Sequence, residues 1–436
     1  MKVLKFGGTS VGSAARMKDV AHLICDGERK IVVLSAMSGT TNSLVEISDY
    51  FYKNNSSGAL ERINALEHKY DAIIDELYAS EVIKAEAQKT IKTHFEYLRS
   101  FSKSVFTLFE EKAILAEGEL LSTNMFQFLL QELGQNSVLL PALDFMRIDK
   151  NSEPDTAYIA ENLEKQLEMH PDKTYYITQG YICRNFYGEV DNLQRGGSDY
   201  TASLIGAAIK SKEIQIWTDI DGMHNNDPRF VEGTTPVPYL HFEEAAELAY
   251  FGAKILHPTC ILPAKLNNIP VRLLNTMEPN APGTLISLQS KKNTIQAVAA
   301  KDNITAIKIK SGRMLLAHGF LRKVFEVFES YQTSIDMITT SEVGVSVTID
   351  NTKKLDEILN SLKKLGTVTV DSDMVIICVV GDLPSENIGM QNKAVAALKD
   401  IPVRMISYGG SNYNISFLVR GQDKIAALRA LSAELF

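Results

Sequence analysis

Apolar residues along the chain fall into two kinds of run. Short, nearly unbroken runs at 3–6, 31–34, 137–140, 174–178 and 214–218 read as strands buried on both faces, the pattern of a parallel sheet. Other apolar residues recur at helical spacing. Met17, Val20 and Leu23 follow Ser13. Ile63, Leu66, Tyr70, Ile73, Ile74 and Leu77 lie in a stretch, 59–117, that holds neither glycine nor proline. A helical stretch at 201–209 separates the last two strands, and 271–274 reads as a further strand. This alternation predicts an α/β domain over the first two thirds of the chain.

Beyond the proline-rich connection 279–283 and the polar run 289–294 the texture changes. One unit reads strand (304–309), helix (319–331), strand (335–339), strand (344–349), helix (355–365), strand (368–370). A second reads strand (375–380), helix (390–398), strand (403–407), strand (414–418), helix (425–431). This is an internal repeat of a ferredoxin-like βαββαβ pattern whose second copy lacks its last strand. The spare strand 296–300 is expected to complete it. Two domains follow, 1–295 and 296–436, the latter with modules at about 303–372 and about 373–436.

Composition narrows the function. The 436 residues exceed the roughly 250–300 that one core supports. With 53 acidic against 45 basic residues the net charge is −8, which opposes nucleic acid as a partner. Cys25, Cys183, Cys260 and Cys378 form no CxxC pair, so a reducing cytoplasm fits best. No apolar run suits a signal peptide or a membrane span. The eight histidines make no HExxH pattern, and no protein metal site is expected.

Four runs could carry chemistry. Gly7-Gly8-Thr9-Ser10-Val11-Gly12 has the glycine spacing of a Walker A loop, but Ser13 stands where that motif needs lysine. The nearby cation is Lys5, on the preceding strand. Backbone N–H groups and the helix start that follows suit a phosphate, and an ordinary tight turn is the other reading of this loop alone. Arg195-Gly196-Gly197-Ser198-Asp199 precedes a helix; Arg195 offers a fork for a carboxylate, and Asp199 is an N-cap or a catalytic group. Thr218-Asp219-Ile220-Asp221-Gly222 ends a strand before Asn226-Asp227-Pro228-Arg229, a strand-to-loop site suited to a nucleotide. Lys254 would otherwise be a solvated surface lysine.

In order, KFGGTSVG, LSAMSGTTN (35–42 from its serine), AEGELLST around Glu119, RGGSDYTA, IWTDIDG, NDPR and FGAKILHP resemble the aspartate kinases over essentially the whole chain. GFLRKVFEVF and IDMITTSEVGVSVTID resemble the regulatory ACT domains of the lysine-sensitive type. The resemblance implies an amino acid kinase fold, a carbamate kinase-like three-layer αβα sandwich, carrying two ACT modules. It also implies ATP-dependent phosphorylation of L-aspartate to 4-phospho-L-aspartate, the first step toward lysine, threonine and methionine. Magnesium is expected through the ATP phosphates.

Carried over residue by residue, Lys5, Gly8 and Asp199 are the catalytic set, with Lys5 neutralising the transferring phosphoryl group and Gly7, Gly8, Thr9 and Ser10 cradling it. Glu119 and Arg195 would read the substrate's ammonium and α-carboxylate, with Ser35, Thr41, Tyr181 and Ser198 beside them. Thr218, Asp219, His224, Arg229 and Lys254 would serve the nucleotide. Tyr181 and His224 stand where relatives often carry phenylalanine and tyrosine. Met314, His318, Gly319, Phe320, Leu321, Ser334, Asp336 and Glu342 match effector positions, with Asp336 and Glu342 drawing the ammonium groups of lysine. A homodimer or a dimer of dimers through the ACT modules is implied. A kinase of the same fold acting on glutamate, N-acetylglutamate or carbamate, and a catalytically silent sensor, are the alternatives. No fused homoserine dehydrogenase is expected.

Overall fold

The computed structural model describes residues 1–103, 105–193, 196–252, 256–289, 291–312, 318–384 and 386–436. They form two compact units, 1–223 with 255–289, and 224–254 with 290–436.

The first unit begins with strand β1 (Lys2–Phe6), helix α1 (Ala14–Ile24) and strand β2 (Lys30–Leu34). Helices α2 (Thr40–Tyr52), α3 (Ser56–Leu77), α4 (Glu81–Ser100) and α5 (Leu108–Glu132) follow. Then come β3 (Ser137–Leu140), α6 (Thr156–Met169), β4 (Tyr175–Gln179) and the hairpin β5 (Ile182–Arg184) with β6 (Val190–Asn192). Helix α7 (Gly197–Ala208) and strand β7 (Ile214–Thr218) bring the chain to the inserted segment 224–254, which holds β8 (Tyr239–His241) and α8 (Phe242–Tyr250). Helix α9 (Pro258–Leu266), β9 (Val271–Asn275) and β10 (Thr284–Ser287) close the unit.

Within this unit the sheet runs β3-β4-β2-β1-β7-β9-β10, parallel except for β10. Strand side chains alternate between faces. Leu4, Phe6, Val32 and Leu34 join a core with α1 to α5, whereas Val3, Ile31 and Val33 are buried on the other face, where α7 packs. Strand β1 has β2 on one side and β7 on the other. The loop after it therefore leaves the sheet where strand order reverses, the place at which open parallel sheets bind ligands.

In the second unit β11 (Ile295–Lys310), α10 (Phe320–Ser330), β12 (Ile338–Ser341), β13 (Gly344–Ile349), α11 (Leu355–Leu362), β14 (Thr367–Gly381), α12 (Met390–Ala397), β15 (Met405–Tyr408), β16 (Asn414–Arg420) and α13 (Lys424–Leu435) build one antiparallel sheet, ordered β12-β13-β11-β14-β16-β15, and its helices. The two βαββαβ copies are not separate sheets. Strands β11 and β14 each run through both, with register shifts near Lys301 and Ile304, and Ala297–Ala300 lie opposite Ile377–Val380 as the missing strand of the second copy.

The single boundary at 295/296 read from the sequence differs from this division. Residues 224–254 group with the C-terminal unit because Phe230 and Val231 pack into its core beside Ile377 and Phe417, and α8 lies on β14. The unbroken polar look of 289–294 also concealed how close β10 comes before it. No helix among the described residues is long and apolar enough to cross a membrane.

Candidate active site

The C-terminal end of β1 places Lys5 in the sheet's central position, almost wholly buried. A buried ammonium needs an anion. Asp199 supplies it, with Oδ1 2.6 Å from Lys5 Nζ. Asp199 is not the N-cap of α7: Gly196 holds that position at φ 76°, and Asp199 sits in the first helical turn, where negative charge is favoured. Gly196 must be glycine on a second count, since a Cβ there would fall 1.9 Å from Cys260 Sγ.

The glycine loop is held by backbone bonds on both sides. Gly7 N–H donates to the Trp217 carbonyl (3.2 Å), and Ser38 N–H donates to the Gly8 carbonyl (3.1 Å). A Cβ on Gly8 would lie 2.7 Å from the Ala36 carbonyl oxygen, so no other residue lets the loop lie this close to the segment after β2. The Thr9 carbonyl accepts from Arg16 Nη1 at 2.6 Å. Ser10 is fully buried, and its hydroxyl lies 2.7 Å from Thr276 Oγ1.

Helix α5 brings Glu119 to the same place. One carboxylate oxygen accepts from Ala36 N–H at 3.1 Å. Burial pushes the Glu119 carboxyl up to about 8, although backbone hydrogen bonds and the charge of Lys5 pull it down. Tyr181 adopts φ 65° and donates its N–H to Thr201 Oγ1 at 2.9 Å; burial and the Glu119 charge raise its phenol. Ser35 is half-buried, and its carbonyl accepts from Ser122 Oγ at 2.8 Å. Ser198 is buried in the first turn of α7, and Thr41 is exposed in the first turn of α2. Lys5, Asp199, Gly8 and Glu119 are thus one site, with Ser35, Tyr181 and Ser198 on the elements that frame it.

Of the residues expected to serve a nucleotide, Thr218 ends β7 and its Oγ1 accepts from Ile220 N–H at 3.1 Å; Asp219 beside it is exposed. His224 and Arg229 belong to the second unit. His224 Nδ1 lies 3.1 Å from Thr234 Oγ1, and the exposed Arg229 guanidinium is paired with Asp227 at 2.6 Å. Arg195, Lys254 and Met314 lie outside the described residues. Among the described residues no cluster of three or more His, Cys, Asp or Glu side chains suits a metal ion.

Sequence reading missed two neighbours of the site. Thr276 has no motif around it. Cys260 packs under Gly196, its thiol pushed up to about 12 by burial and the charge of Asp199, against the pull of Lys5.

In the second unit Gly319, at φ 81°, precedes α10, with Phe320 buried and His318, Leu321, Ser334 and Glu342 exposed. Asp336, expected among the effector residues, is held by its neighbours. Its side chain is 1 % exposed, and Oδ1 accepts from Lys301 Nζ (2.7 Å) and from the Tyr250 hydroxyl (2.8 Å). Oδ2 is buried without a hydrogen-bond partner among the described residues. Lys301 also reaches Asp350 at 2.9 Å.

The amino acid kinase family model matches residues 1–275, and an ACT domain model matches residues 377–435. Aspartokinase 1, chloroplastic, of Arabidopsis thaliana is 36% identical over 460 residues, covering 100% of this chain and 80% of that protein. The lysine-sensitive aspartokinase 3 of Escherichia coli (strain K12) is 32% identical over 447 residues, covering 100% of this chain and 99% of that one. Among solved structures, Escherichia coli aspartokinase III in complex with aspartate and ADP (R-state) superposes with a TM-score of 0.84 at 32% identity, over 100% of both chains. With the glycine loop, the Lys5–Asp199 pair and the double βαββαβ sheet in place, the chain belongs to the aspartokinase family.

Proposed function

We propose that the first unit transfers the γ-phosphoryl group of ATP to the side-chain carboxylate of L-aspartate, giving 4-phospho-L-aspartate and ADP. The observation that carries this reading is the buried Lys5–Asp199 pair beside Gly8, at the point where the parallel sheet reverses its strand order. The acceptor carboxylate has a reference pKa near 3.9 and is ionised at neutral pH, so no protein base is needed. A carboxylate oxygen forms the new bond to phosphorus as the bond to the ADP oxygen breaks. The obstacle is the approach of two anions, and Lys5 with the N–H groups of the glycine loop lowers it.

Asp199 holds the Lys5 ammonium in place, and Glu119 receives the substrate's ammonium. Ser35, Thr41, Tyr181, Ser198 and Arg195 complete the acid site, and Thr218 and Asp219 serve the nucleotide; for His224, Arg229 and Lys254 the resemblance alone implies a nucleotide role. Magnesium bound to the nucleotide phosphates would offset their charge.

The second unit is read as the sensor, with lysine as effector and homodimer assembly through its ACT modules. Sensitivity to lysine in the Escherichia coli relative supports that choice, as does Asp336 Oδ2, which has no hydrogen-bond partner among the described residues and suits an ammonium donor. The product opens the route to lysine, threonine and methionine.

The test traps the acyl phosphate with hydroxylamine in the presence of ATP, magnesium and a panel of amino acids, with and without lysine. Hydroxamate is expected with aspartate and not with glutamate. Turnover of glutamate alone would overturn the reading, and full activity in saturating lysine would remove lysine as effector.

A further inference from the structure

Two buried hydroxyls meet behind the glycine loop. Ser10 is fully buried and Thr276 is 7 % exposed, and their oxygens lie 2.7 Å apart. Burying a hydroxyl is unfavourable unless it is hydrogen-bonded. The other contact of Ser10 Oγ, the Trp217 carbonyl, stands at 3.5 Å, the limit of a useful bond, so Thr276 is its main partner. Thr276 is tied on a second side. Its N–H donates to the Thr218 carbonyl at 2.8 Å, one residue past the last β7–β9 pair, Thr218 with Asn275. The same residue therefore grips the glycine loop after β1 through its side chain and the end of β7 through its backbone. Trp217 closes the triangle by accepting from Gly7 N–H.

We infer that Thr276 is a positioning residue for phosphoryl transfer, fixing the glycine loop against the end of β7 so that nucleotide phosphates meet Lys5 in register. The inference rests on the proposed nucleotide roles of the glycine loop and Thr218. It changes the part given to Ser10, whose hydroxyl anchors the loop from within. A small displacement of such a loop is expensive, because misplacing reacting groups by about 1 Å can cost on the order of a hundredfold in rate.

The test uses the full-length protein. Thr276→Val keeps the shape of the side chain and removes the hydroxyl; Ser10→Ala removes the same bond from the other end. Thr276→Val should weaken ADP binding, measured by calorimetry with magnesium, and raise KM for ATP, each by about tenfold, as expected when a buried hydrogen bond is broken. KM for aspartate should move less than twofold. Thr276→Ser should restore wild-type values, and the double variant should be no worse than Ser10→Ala alone, because both changes break one bond. ADP affinity within twofold of wild type in Thr276→Val, failure of Thr276→Ser to restore it, or losses that multiply in the double variant would each overturn the proposal. If Thr276→Val does not fold, Ser10→Ala and Thr276→Ser decide the matter by the same ADP readout. Calorimetry with ADP does not depend on the acceptor acid, so an error in the aspartate assignment leaves this result intact.

Discussion

Lys5 Nζ lies 2.6 Å from Asp199 Oδ1, joining the end of β1 to the first turn of α7. Under the proposed function the pair does two jobs, and they separate in experiment. Lys5→Met removes the charge that the transferring phosphoryl group needs, and kcat is expected to fall by roughly a thousandfold or more. Asp199→Asn leaves Lys5 charged but unanchored, which lowers kcat and also costs stability, about 3 kcal/mol for a mostly buried pair that loses one partner. Hydroxamate rates and thermal melts of both variants check this. Near-normal kcat in either variant removes that residue from the mechanism.

If Glu119 receives the substrate's ammonium, as the proposed function has it, the acid site is sensitive to pH. Its carboxyl titrates at about 8 in the free protein because burial disfavours the charged form. An ammonium ligand needs the charged form. As pH rises through about 8, Glu119 ionises, and apparent affinity for aspartate should rise with it. The profile of kcat/KM for aspartate is expected to show an ascending limb near pH 8 that Glu119→Gln abolishes, while KM for ATP changes little. A limb that persists in the variant assigns the titration elsewhere. The stability linkage runs the opposite way: the raised pKa contributes stability below about 4.5 that is lost as pH rises through about 8.

Under the proposed sensor role of the second unit, Lys301 and Asp336 set a comparable condition there. Burial raises the Asp336 carboxyl, and Lys301 and Tyr250 oppose that rise. Without Lys301 the carboxyl is driven further toward its neutral form, which attracts no ammonium. Lys301→Met should therefore desensitise the protein to lysine, as should Asp336→Asn. Each is expected to raise the half-inhibitory lysine concentration by about tenfold or more, in line with loss of a charge-assisted hydrogen bond. Unchanged inhibition in Asp336→Asn would take this carboxylate out of the effector site.

What the sequence made legible were features with a period or a motif. Strands such as Lys30–Leu34, buried on both faces, betray the parallel sheet, and the spare strand ahead of the repeat finds its place opposite Ile377–Val380. Gly8 and Gly196 stand out because close approach or a left-handed backbone excludes other residues. Partners that meet only in space carry no such mark. Thr276 touches Ser10 across most of the first unit, and Lys301 reaches Asp336 from the gap between the runs 296–300 and 304–309 that read as separate strands. The grouping of 224–254 with the C-terminal unit was hidden for the same reason, since Phe230 and Val231 show their burial only against a core formed far along the chain.

One such hidden group yields a stability prediction. Glu244, in the first turn of α8, is fully buried; its side chain accepts from His241 N–H at 2.7 Å, but Oε1 has no hydrogen-bond partner among the described residues. Burial, aided by the charge of Asp382, pushes its carboxyl up to about 7. The folded pKa thus exceeds the unfolded one, so the contribution to stability is complete below about 4.5 and is lost as pH rises through about 7. Above that pH the fold carries a buried carboxylate with an orphaned oxygen. Glu244→Gln mimics the protonated acid and removes the penalty. Its melting temperature should match wild type near pH 5 and exceed it near pH 8 by roughly 2–4 °C for each kcal/mol recovered. If the two melting curves keep the same offset from pH 5 to pH 8, Glu244 is not the group that titrates. If the variant is the less stable one at pH 8, the unpartnered oxygen is no liability to the fold.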